Sequence, residues 1–339
     1  MRPFRYTRPD SAQHAVEAFA AAGADARYIA GGTSLYDLMK LDIERPEHLI
    51  DVTAIRGLDG IETDGDRLRF EALAPMSAVA SDRVVLRDYP VLAESLAKAA
   101  SQQLRNMATV GGNLLQRTRC LYFRNGAGGV SAGTTYPCNK REPGSGCAAI
   151  GGLDRGQAVL GQSGSCTAVS PGDWPVALVA LDAYVEILGR LGTRSLPVAD
   201  LYRLPGGTPH LEFALTPGEI ITAIVVPKAA AGRQSTYHKI RDRESYAFAL
   251  ASAAVALDMA GDTVRQARIA LGGVATRPWR AVAAEAQLAG KQLTRETAII
   301  AGRAALTGAK AGDHNGFKIE LAARTVADAL MIAAQRKPA

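Results

Sequence analysis

All four cysteines of the 339-residue chain lie within one stretch, which runs from Asn106 to Asp173. They are Cys120, Cys138, Cys147 and Cys166. The gaps between them are 17, 8 and 18 residues. Four thiols can hold a metal centre, form two disulfides or do neither. No pair has the C-x2-C spacing of a zinc ribbon or a bacterial ferredoxin, so the spacing alone leaves these alternatives open.

The segment between the second and third cysteines is polar, basic and rich in glycine. It contains Asn139, Lys140 and Arg141, with almost no side chain that a core could bury. Apolar contacts cannot order such a segment. Four thiolates on iron could order it, and the basic side chains would offset the negative charge of a cluster. Unrelated core or surface cysteines remain the alternative. The preceding run, 125–135, has the composition of a flexible surface excursion.

The run from Arg27 to Ala30 predicts a buried strand that leads directly into a glycine turn and a short helix. Successive backbone N–H groups in such a turn can surround an anion, and a helix dipole adds to the attraction. The turn does not match G-x-G-x-x-G, so a Rossmann dinucleotide fold is not supported, and a generic turn is the alternative. The candidate binding residues here are Ile29, Ala30, Gly31, Gly32, Thr33, Ser34 and Leu35.

A second glycine turn follows a helix predicted over Val91 to Gln103. Glycine allows close approach of the backbone to a ligand and tolerates positive φ. Hydroxyl and amide side chains beside it can hydrogen-bond a phosphate or a ribose. Two such turns on one domain can hold both phosphates of a dinucleotide. The candidate residues are Thr109, Gly111, Gly112, Asn113 and Leu114.

The run TVGGNLLQRTRC, which ends at Cys120, and the run PCNKREPGSGCAAIGG, which contains Cys138 and Cys147, carry a family resemblance. Together they resemble the FAD-binding subunit of three-subunit molybdenum hydroxylases, the xanthine dehydrogenase family. Within it, the chain is most similar to the middle subunit of bacterial periplasmic aldehyde oxidoreductases. That subunit carries FAD and, in a loop that other members lack, a [4Fe–4S] cluster on four cysteines. The resemblance spans nearly the whole chain.

The resemblance implies an α+β protein with two domains. Residues 1–228 would form a PCMH/VAO-type FAD-binding domain of two α/β subdomains, with the [4Fe–4S] loop at about 115–167. Residues 229–339 would form a C-terminal domain like that of the CO dehydrogenase flavoprotein. The pattern from Thr236 onward agrees, because three strand-like runs precede three helical segments, as in a separate antiparallel sheet with a helix cluster.

The resemblance also implies roles for individual residues. Both glycine turns would contact the flavin, and the four cysteines would each give one thiolate to one iron. Ser170 and Asp173 would contact the ribityl or adenosine part, although an ordinary helix N-cap is the alternative for Asp173. The family usually has serine where Gly172 stands here, so one hydroxyl contact is lost. Ile221 would also contact the flavin.

A lysine near the first strand of the C-terminal domain can approach the flavin ring in this family. Lys239 or His238 could fill that place, with solvated strand charges as the alternative.

The implied function is electron transfer in a heterotrimeric molybdenum-containing aldehyde oxidoreductase. FAD would take electrons from a large molybdopterin subunit and a small subunit with two [2Fe–2S] clusters, and would pass them to an external acceptor. No catalytic residue is expected on this chain, because substrate oxidation belongs to the large subunit. The alternatives are a subunit of a hydroxybenzoyl-CoA reductase-like enzyme, a zinc or structural protein, and a stand-alone FAD oxidase. The last is disfavoured because no histidine closely follows either glycine turn.

Charge and hydrophobic patterning limit the other partners. The net charge is +6, but basic residues are scattered and aromatic residues are few, which does not favour nucleic-acid binding. No run of about 18 apolar residues predicts a transmembrane helix. The N-terminus lacks the apolar region of a signal peptide. The family resemblance nevertheless implies a periplasmic location through co-export with a signal-bearing partner, with the cytoplasm as the alternative.

Overall fold

The computed structural model describes residues 1–125 and 136–336. Most of the predicted surface excursion at 125–135 therefore lies outside the described residues. The described chain forms three sheets and the helices around them, which confirms the predicted α+β class. None of the described helices is long and apolar enough to cross a membrane.

The chain begins with a small parallel sheet that carries the first glycine turn. Its strands have the order β1-β3-β2, and helix α1 covers it. Ser11 caps α1 by accepting a hydrogen bond from the N–H of His14 at 3.2 Å. A second helix, α2, begins directly after the turn. The elements are β1 (Arg5–Thr7), α1 (Ala12–Ala22), β2 (Ala26–Ile29), α2 (Leu35–Lys40) and β3 (His48–Asp51).

A five-stranded antiparallel sheet follows, with the order β4-β5-β8-β6-β7. Its strands are β4 (Ile61–Glu62), β5 (Arg67–Glu71), β6 (Tyr184–Gly189), β7 (Gly192–Pro197) and β8 (Ile220–Pro227). The chain leaves this sheet after β5 and returns only at β6. The long excursion between them contains the second glycine turn and all four cysteines.

Short helices make up most of the regular structure in this excursion. They are α3 (Met76–Ser81), α4 (Arg83–Asp88), α5 (Pro90–Ala97), α6 (Gln102–Met107), α7 (Val110–Leu114), α8 (Leu121–Arg124) and α9 (Trp174–Ala180); α10 (Val198–Leu201) follows β7.

The single helix predicted over Val91 to Gln103 is wrong, because the chain breaks between α5 and α6. Ala100 has a φ of 49° there, which a continuing helix does not allow. The break leaves the Lys98 carbonyl free to accept hydrogen bonds from the Lys239 and Arg241 side chains.

The C-terminal part is a four-stranded antiparallel sheet covered by three helices. The order is β12-β11-β10-β9, with β9 (Ser235–Ile240), β10 (Ala251–Ala260), β11 (Thr263–Gly272) and β12 (Trp279–Arg280). The helices are α11 (Val282–Leu288), α12 (Arg295–Ala304) and α13 (Phe317–Ala334). Strand β10 is buried on both faces: Ala254 and Ala256 join the core of the five-stranded sheet, whereas Val255 and Leu257 pack against the helices.

Candidate functional site

The described residues line a cavity with a volume of about 1390 Å³. This exceeds the roughly 300–1,000 Å³ of a typical small-molecule pocket, so the cavity has room for an extended ligand. Both glycine turns line it, and residues of β8, β9 and the segment around Glu212 are among those that form its other walls. The turns come from different parts of the chain, one after β2 and the other at the start of α7.

Gly31 lies where the two turns touch. A Cβ at this position would overlap the backbone carbonyl of Met107, so no larger residue fits. Gly32 has a φ of 69°, which glycine adopts without strain. The first turn is therefore pressed against the residues that precede the second, and the two form one continuous wall.

The second turn is closed by Thr109, whose hydroxyl accepts a hydrogen bond from the N–H of Gly112 at 3.2 Å. Gly111 packs on Ala72, directly after β5, because a Cβ there would lie 2.7 Å from the Cβ of Ala72. Two buried polar atoms of the cavity wall, Ser34 Oγ and Asn113 Oδ1, have no hydrogen-bond partner among the described residues. Buried polar groups are normally paired, so these two atoms indicate a polar ligand between the turns.

Asp173 precedes α9, but its side chain does not cap that helix. Its carboxylate instead accepts hydrogen bonds from Tyr237 Oη at 2.6 Å and from Lys239 Nζ at 2.8 Å. Tyr237 also donates to or accepts from Ser252 Oγ at 2.8 Å. Burial raises the pKa of the Asp173 carboxyl, while the charge of Lys239 opposes this increase. The simple N-cap interpretation is therefore wrong, and the carboxylate fixes a lysine in the cavity wall.

The structure distinguishes between the two candidates on β9. Lys239 lines the cavity, and its side chain is 1% exposed. His238 points to the other face of the strand, where Lys98, Asp328 and Glu94 affect it, and burial lowers the pKa of its imidazole. Of the two residues, Lys239 is the one placed to act on a ligand in the cavity.

A chain of alternating charges joins the first turn to the cysteine segment. Glu44 pairs with Arg27, at 3.1 Å, and with Arg117. Glu212 pairs with Arg117 at 2.6 Å and with Lys140 at 3.1 Å. All five side chains line the cavity. No motif revealed this network in the sequence, because its members are far apart along the chain.

The four cysteines are free thiols, and Cys138 lies two residues before Lys140, which lines the cavity. Cys138 and Cys120 share a small apolar cluster with Leu38, which also lines the cavity. Burial raises the pKa of the Cys120 and Cys166 thiols, the latter to about 11. The negative charge of a Cys138 thiolate further raises the pKa of Cys120, and that of a Cys147 thiolate further raises the pKa of Cys166. The thiols of each pair therefore lie close enough to interact electrostatically.

Two sulfur atoms also accept hydrogen bonds. The Gln157 side-chain amide donates to Cys120 Sγ at 3.4 Å, and the N–H of Ala168 donates to Cys166 Sγ at 3.5 Å. Within the described ranges, no group of three or more His, Cys, Asp or Glu side chains is arranged to hold one metal ion.

Most of the predicted binding residues converge on the cavity. Those that line it are Ile29, Ala30, Gly31, Gly32, Thr33, Ser34, Leu35, Thr109, Gly111, Gly112, Asn113, Asp173, Ile221 and Lys239. Leu114 is instead buried in the core, and Ser170 hydrogen-bonds through its N–H to the carbonyl of Ala275. Pro171 and Asp173 line the cavity in that segment.

Comparison with known protein families assigns this architecture. Residues 2–229 match the FAD binding domain in molybdopterin dehydrogenase, and residues 235–332 match the CO dehydrogenase flavoprotein C-terminal domain. The chain belongs to the FAD-binding subunits of the molybdenum hydroxylase family. Both glycine turns lie within the part of this flavoprotein subunit that matches the FAD binding domain.

Relatives of this flavoprotein subunit match it over most of its length. It is 48% identical over 334 residues to the aldehyde oxidoreductase FAD-binding subunit PaoB of Escherichia coli, covering 97% of this chain and 98% of that protein. It is 29% identical to the carbon monoxide dehydrogenase medium chain of Hydrogenophaga pseudoflava, covering 89% and 86%.

Solved structures of two related enzymes contain chains with the same fold. A carbon monoxide dehydrogenase structure from Hydrogenophaga pseudoflava aligns with a TM-score of 0.76 at 29% identity, over 99% of both chains. Quinoline 2-oxidoreductase from Pseudomonas putida aligns with a TM-score of 0.74 at 25% identity, over 98% of both chains.

Proposed function

We propose that this chain is the electron-transfer flavoprotein subunit of a three-subunit, molybdenum-containing aldehyde oxidoreductase. The observation that carries the proposal is the cavity between the two glycine turns, in a chain that resembles an aldehyde oxidoreductase FAD-binding subunit over almost its whole length. The proposed partners are a large molybdopterin subunit and a small subunit with two [2Fe–2S] clusters. An external acceptor would take the electrons.

The residues of the cavity suit FAD. Gly31 and Gly111 let the two turns pack tightly on Met107 and Ala72 and so shape the cavity wall. Ser34 Oγ and Asn113 Oδ1 are free to bind polar groups of the cofactor. FAD supplies the one- and two-electron redox chemistry when it is bound. Lys239 would hold a positive charge beside it, which stabilises negative charge that develops on a reduced cofactor. Asp173 fixes the position of that charge.

We further propose that the four cysteines, Cys120, Cys138, Cys147 and Cys166, hold a [4Fe–4S] cluster. The hydrogen bonds donated to two of the sulfur atoms are of the kind that tunes such clusters. Lys140 lowers the pKa of Cys166, against the larger effect of burial, and so favours its thiolate. In a four-iron cluster each thiolate binds a different iron, so the thiols need not share the single centre that one metal ion requires.

The proposed domain division places FAD and the cluster in residues 1–228 and assigns 229–339 to the second domain. Lys239 then reaches the flavin cavity from the second domain, while Asp173 comes from the first. Substrate oxidation is assigned to the large subunit, so none of the residues of this chain is given a catalytic role on the aldehyde.

An anaerobic visible spectrum of the purified chain, with flavin, iron and sulfide quantified, tests the proposal. We expect one flavin, released by denaturation, and about four irons per chain. A flavin that stays attached after denaturation would favour a stand-alone oxidase with a covalent flavin. Absence of flavin from the chain and from its complex would contradict the proposal.

The cysteine assignment has a separate test. The Cys147→Ser variant should keep its flavin and lose most of its iron, because one of four ligands is removed. Unchanged iron content in Cys147→Ser would overturn the four-cysteine assignment and leave the flavin assignment intact.

We propose a periplasmic location, reached by co-export with a signal-bearing partner. Fractionation of cells that express the complex with and without the partner's signal checks this. Equal amounts of the chain in the cytoplasm under both conditions would favour the cytoplasmic alternative.

A further inference from the structure

Cys138 and Cys147 lie directly opposite each other in an isolated antiparallel bridge. The flanking hydrogen bonds run from the N–H of Asn139 to the carbonyl of Gly146 at 2.7 Å, and from the N–H of Ala148 to the carbonyl of Pro137 at 3.0 Å. The cysteines therefore occupy the closely spaced, non-hydrogen-bonded position of the ladder, where facing Cα atoms are about 4.5 Å apart. A disulfide spans Cα separations of about 4.4–6.8 Å.

The loop between these two cysteines is already closed by its own hydrogen bonds. The hydroxyl of Ser145 accepts from the N–H of Cys138 at 3.0 Å, and the side-chain oxygen of Asn139 accepts from the N–H of Gly146 at 2.8 Å. Gly144 and Gly146 have φ values of 87° and 102°, which permit the tight path. Because the ends are held together, the effective concentration of one thiol at the other is high.

The other two cysteines have different neighbours. Cys166 faces Ser163 across its own isolated bridge. Cys120 precedes α8, and its sulfur accepts a hydrogen bond from Gln157. Within the described ranges, only Cys138 and Cys147 face each other as a cross-strand pair of cysteines.

We infer that Cys138 and Cys147 are a redox-active pair that closes to a disulfide in the metal-free chain. The oxidant is a small disulfide such as glutathione disulfide. Cys147, the more exposed of the two, attacks it and releases one glutathione thiol. Cys138 then attacks the mixed disulfide and releases a second. In total, two protein thiols lose two electrons and two protons, and one glutathione disulfide gains them.

The disulfide removes two of the four thiols that a metal centre could use. An oxidised chain cannot present four thiolates, so the pair makes metal uptake depend on a reducing environment. This consequence rests on the proposed four-cysteine site, whereas formation of the disulfide does not.

Peptide mapping of the metal-free, full-length chain tests the pairing. The chain is incubated with glutathione disulfide, alkylated and digested with trypsin without reduction. Trypsin cuts after Lys140 and Arg141, between the two cysteines, so the disulfide joins peptide 125–140 to peptide 142–155. We expect this pair to dominate and to disappear after treatment with dithiothreitol.

Two variants make the result specific. Cys166→Ser should keep the cross-linked peptides, and Cys147→Ser should lose them without forming a Cys138–Cys166 product in comparable yield. The inference would be overturned if another cysteine pair formed the main disulfide, or if disulfides formed unselectively among all four cysteines. Complete alkylation of Cys138 and Cys147 would overturn it as well. Iron uptake by the oxidised chain, compared before and after reduction, checks the consequence separately.

Discussion

Lys239 and Asp173 form an ion pair that is almost completely buried, with 2.8 Å between Lys239 Nζ and Asp173 Oδ2. The pair joins β9 to the start of α9, and Tyr237 holds the second carboxylate oxygen. The same lysine donates to the Lys98 carbonyl at the break after α5. One buried charge is thus held by three segments that meet at the cavity between the glycine turns.

Breaking this pair should destabilise the fold strongly. We expect Asp173→Ala or Lys239→Met to cost about 3–5 kcal/mol, because each leaves a buried charge without its partner. The double variant should cost less than the sum of the two, as denaturant unfolding will show. Glu320→Ala removes the exposed Arg324–Glu320 pair and should change stability by less than about 1 kcal/mol. Additive effects at Asp173 and Lys239 would argue against coupling.

Lys239 should also raise the reduction potential of bound flavin. Removing a positive charge from the cavity wall makes a reduced, negatively charged cofactor less stable. We therefore expect a lower flavin potential in Lys239→Met than in Lys239→Arg, by spectroelectrochemistry of the flavin-loaded chain. Equal potentials in the two variants would show that the charge acts on the fold alone.

Substitution of Gly31 should abolish flavin binding. The added Cβ in Gly31→Ala overlaps the Met107 carbonyl and must push the two turns apart. Overpacking of this kind also costs about 1–3 kcal/mol of stability. Flavin per chain should fall at least about tenfold, whereas Gly207→Ala, where a Cβ meets no atom within 4 Å, should keep its flavin. Full flavin content in Gly31→Ala would contradict the tight contact between the turns.

Substitution of Glu212 should lower the stability of the fold far more than substitution of an exposed carboxylate. Its side chain is 13% exposed and pairs with both Arg117 and Lys140. Glu212→Gln therefore leaves the largely buried Lys140 without its counter-charge and leaves Arg117 with Glu44 alone. We expect a loss of about 3 kcal/mol and faster tryptic cleavage after Lys140. Asp242→Asn, which removes an exposed pair with Arg155, should cost less than about 1 kcal/mol. Similar losses in the two variants would show that the network is not structural.

Lys318 should make stability rise with pH in the alkaline range. Burial lowers the pKa of its ammonium from 10.5 to about 8 in the folded chain. Between pH 8 and pH 10.5 the lysine is therefore more fully protonated in the unfolded chain than in the folded chain, and a rise in pH stabilises the fold. Stability relative to Lys318→Met should be lowest below pH 8 and rise by up to about 3 kcal/mol as the pH approaches 10.5. Lys291→Met, at an exposed position, should follow the wild-type profile. A constant difference between wild type and Lys318→Met across this range would contradict the burial effect.

Local patterns predicted many elements correctly. The three strand-like runs and the three helical segments predicted after Thr236 are present as β9 to β11 and α11 to α13. The glycine turns follow from residues that are adjacent in the chain. The break between α5 and α6 was missed because it depends on Ala100 and on side chains from β9, which no local pattern contains.

The family resemblance implied the α+β class. The two glycine turns and the stretch that contains all four cysteines could be recognised from the sequence alone. These follow from residues a few positions apart, where periodicity and backbone freedom act. Three contacts became visible only in the tertiary structure. Asp173 pairs with Lys239 instead of capping its own helix, Glu44 and Glu212 both pair with Arg117, and Cys138 faces Cys147. Such contacts join residues that are far apart in the sequence, so they depend on how distant segments pack against one another in the folded chain.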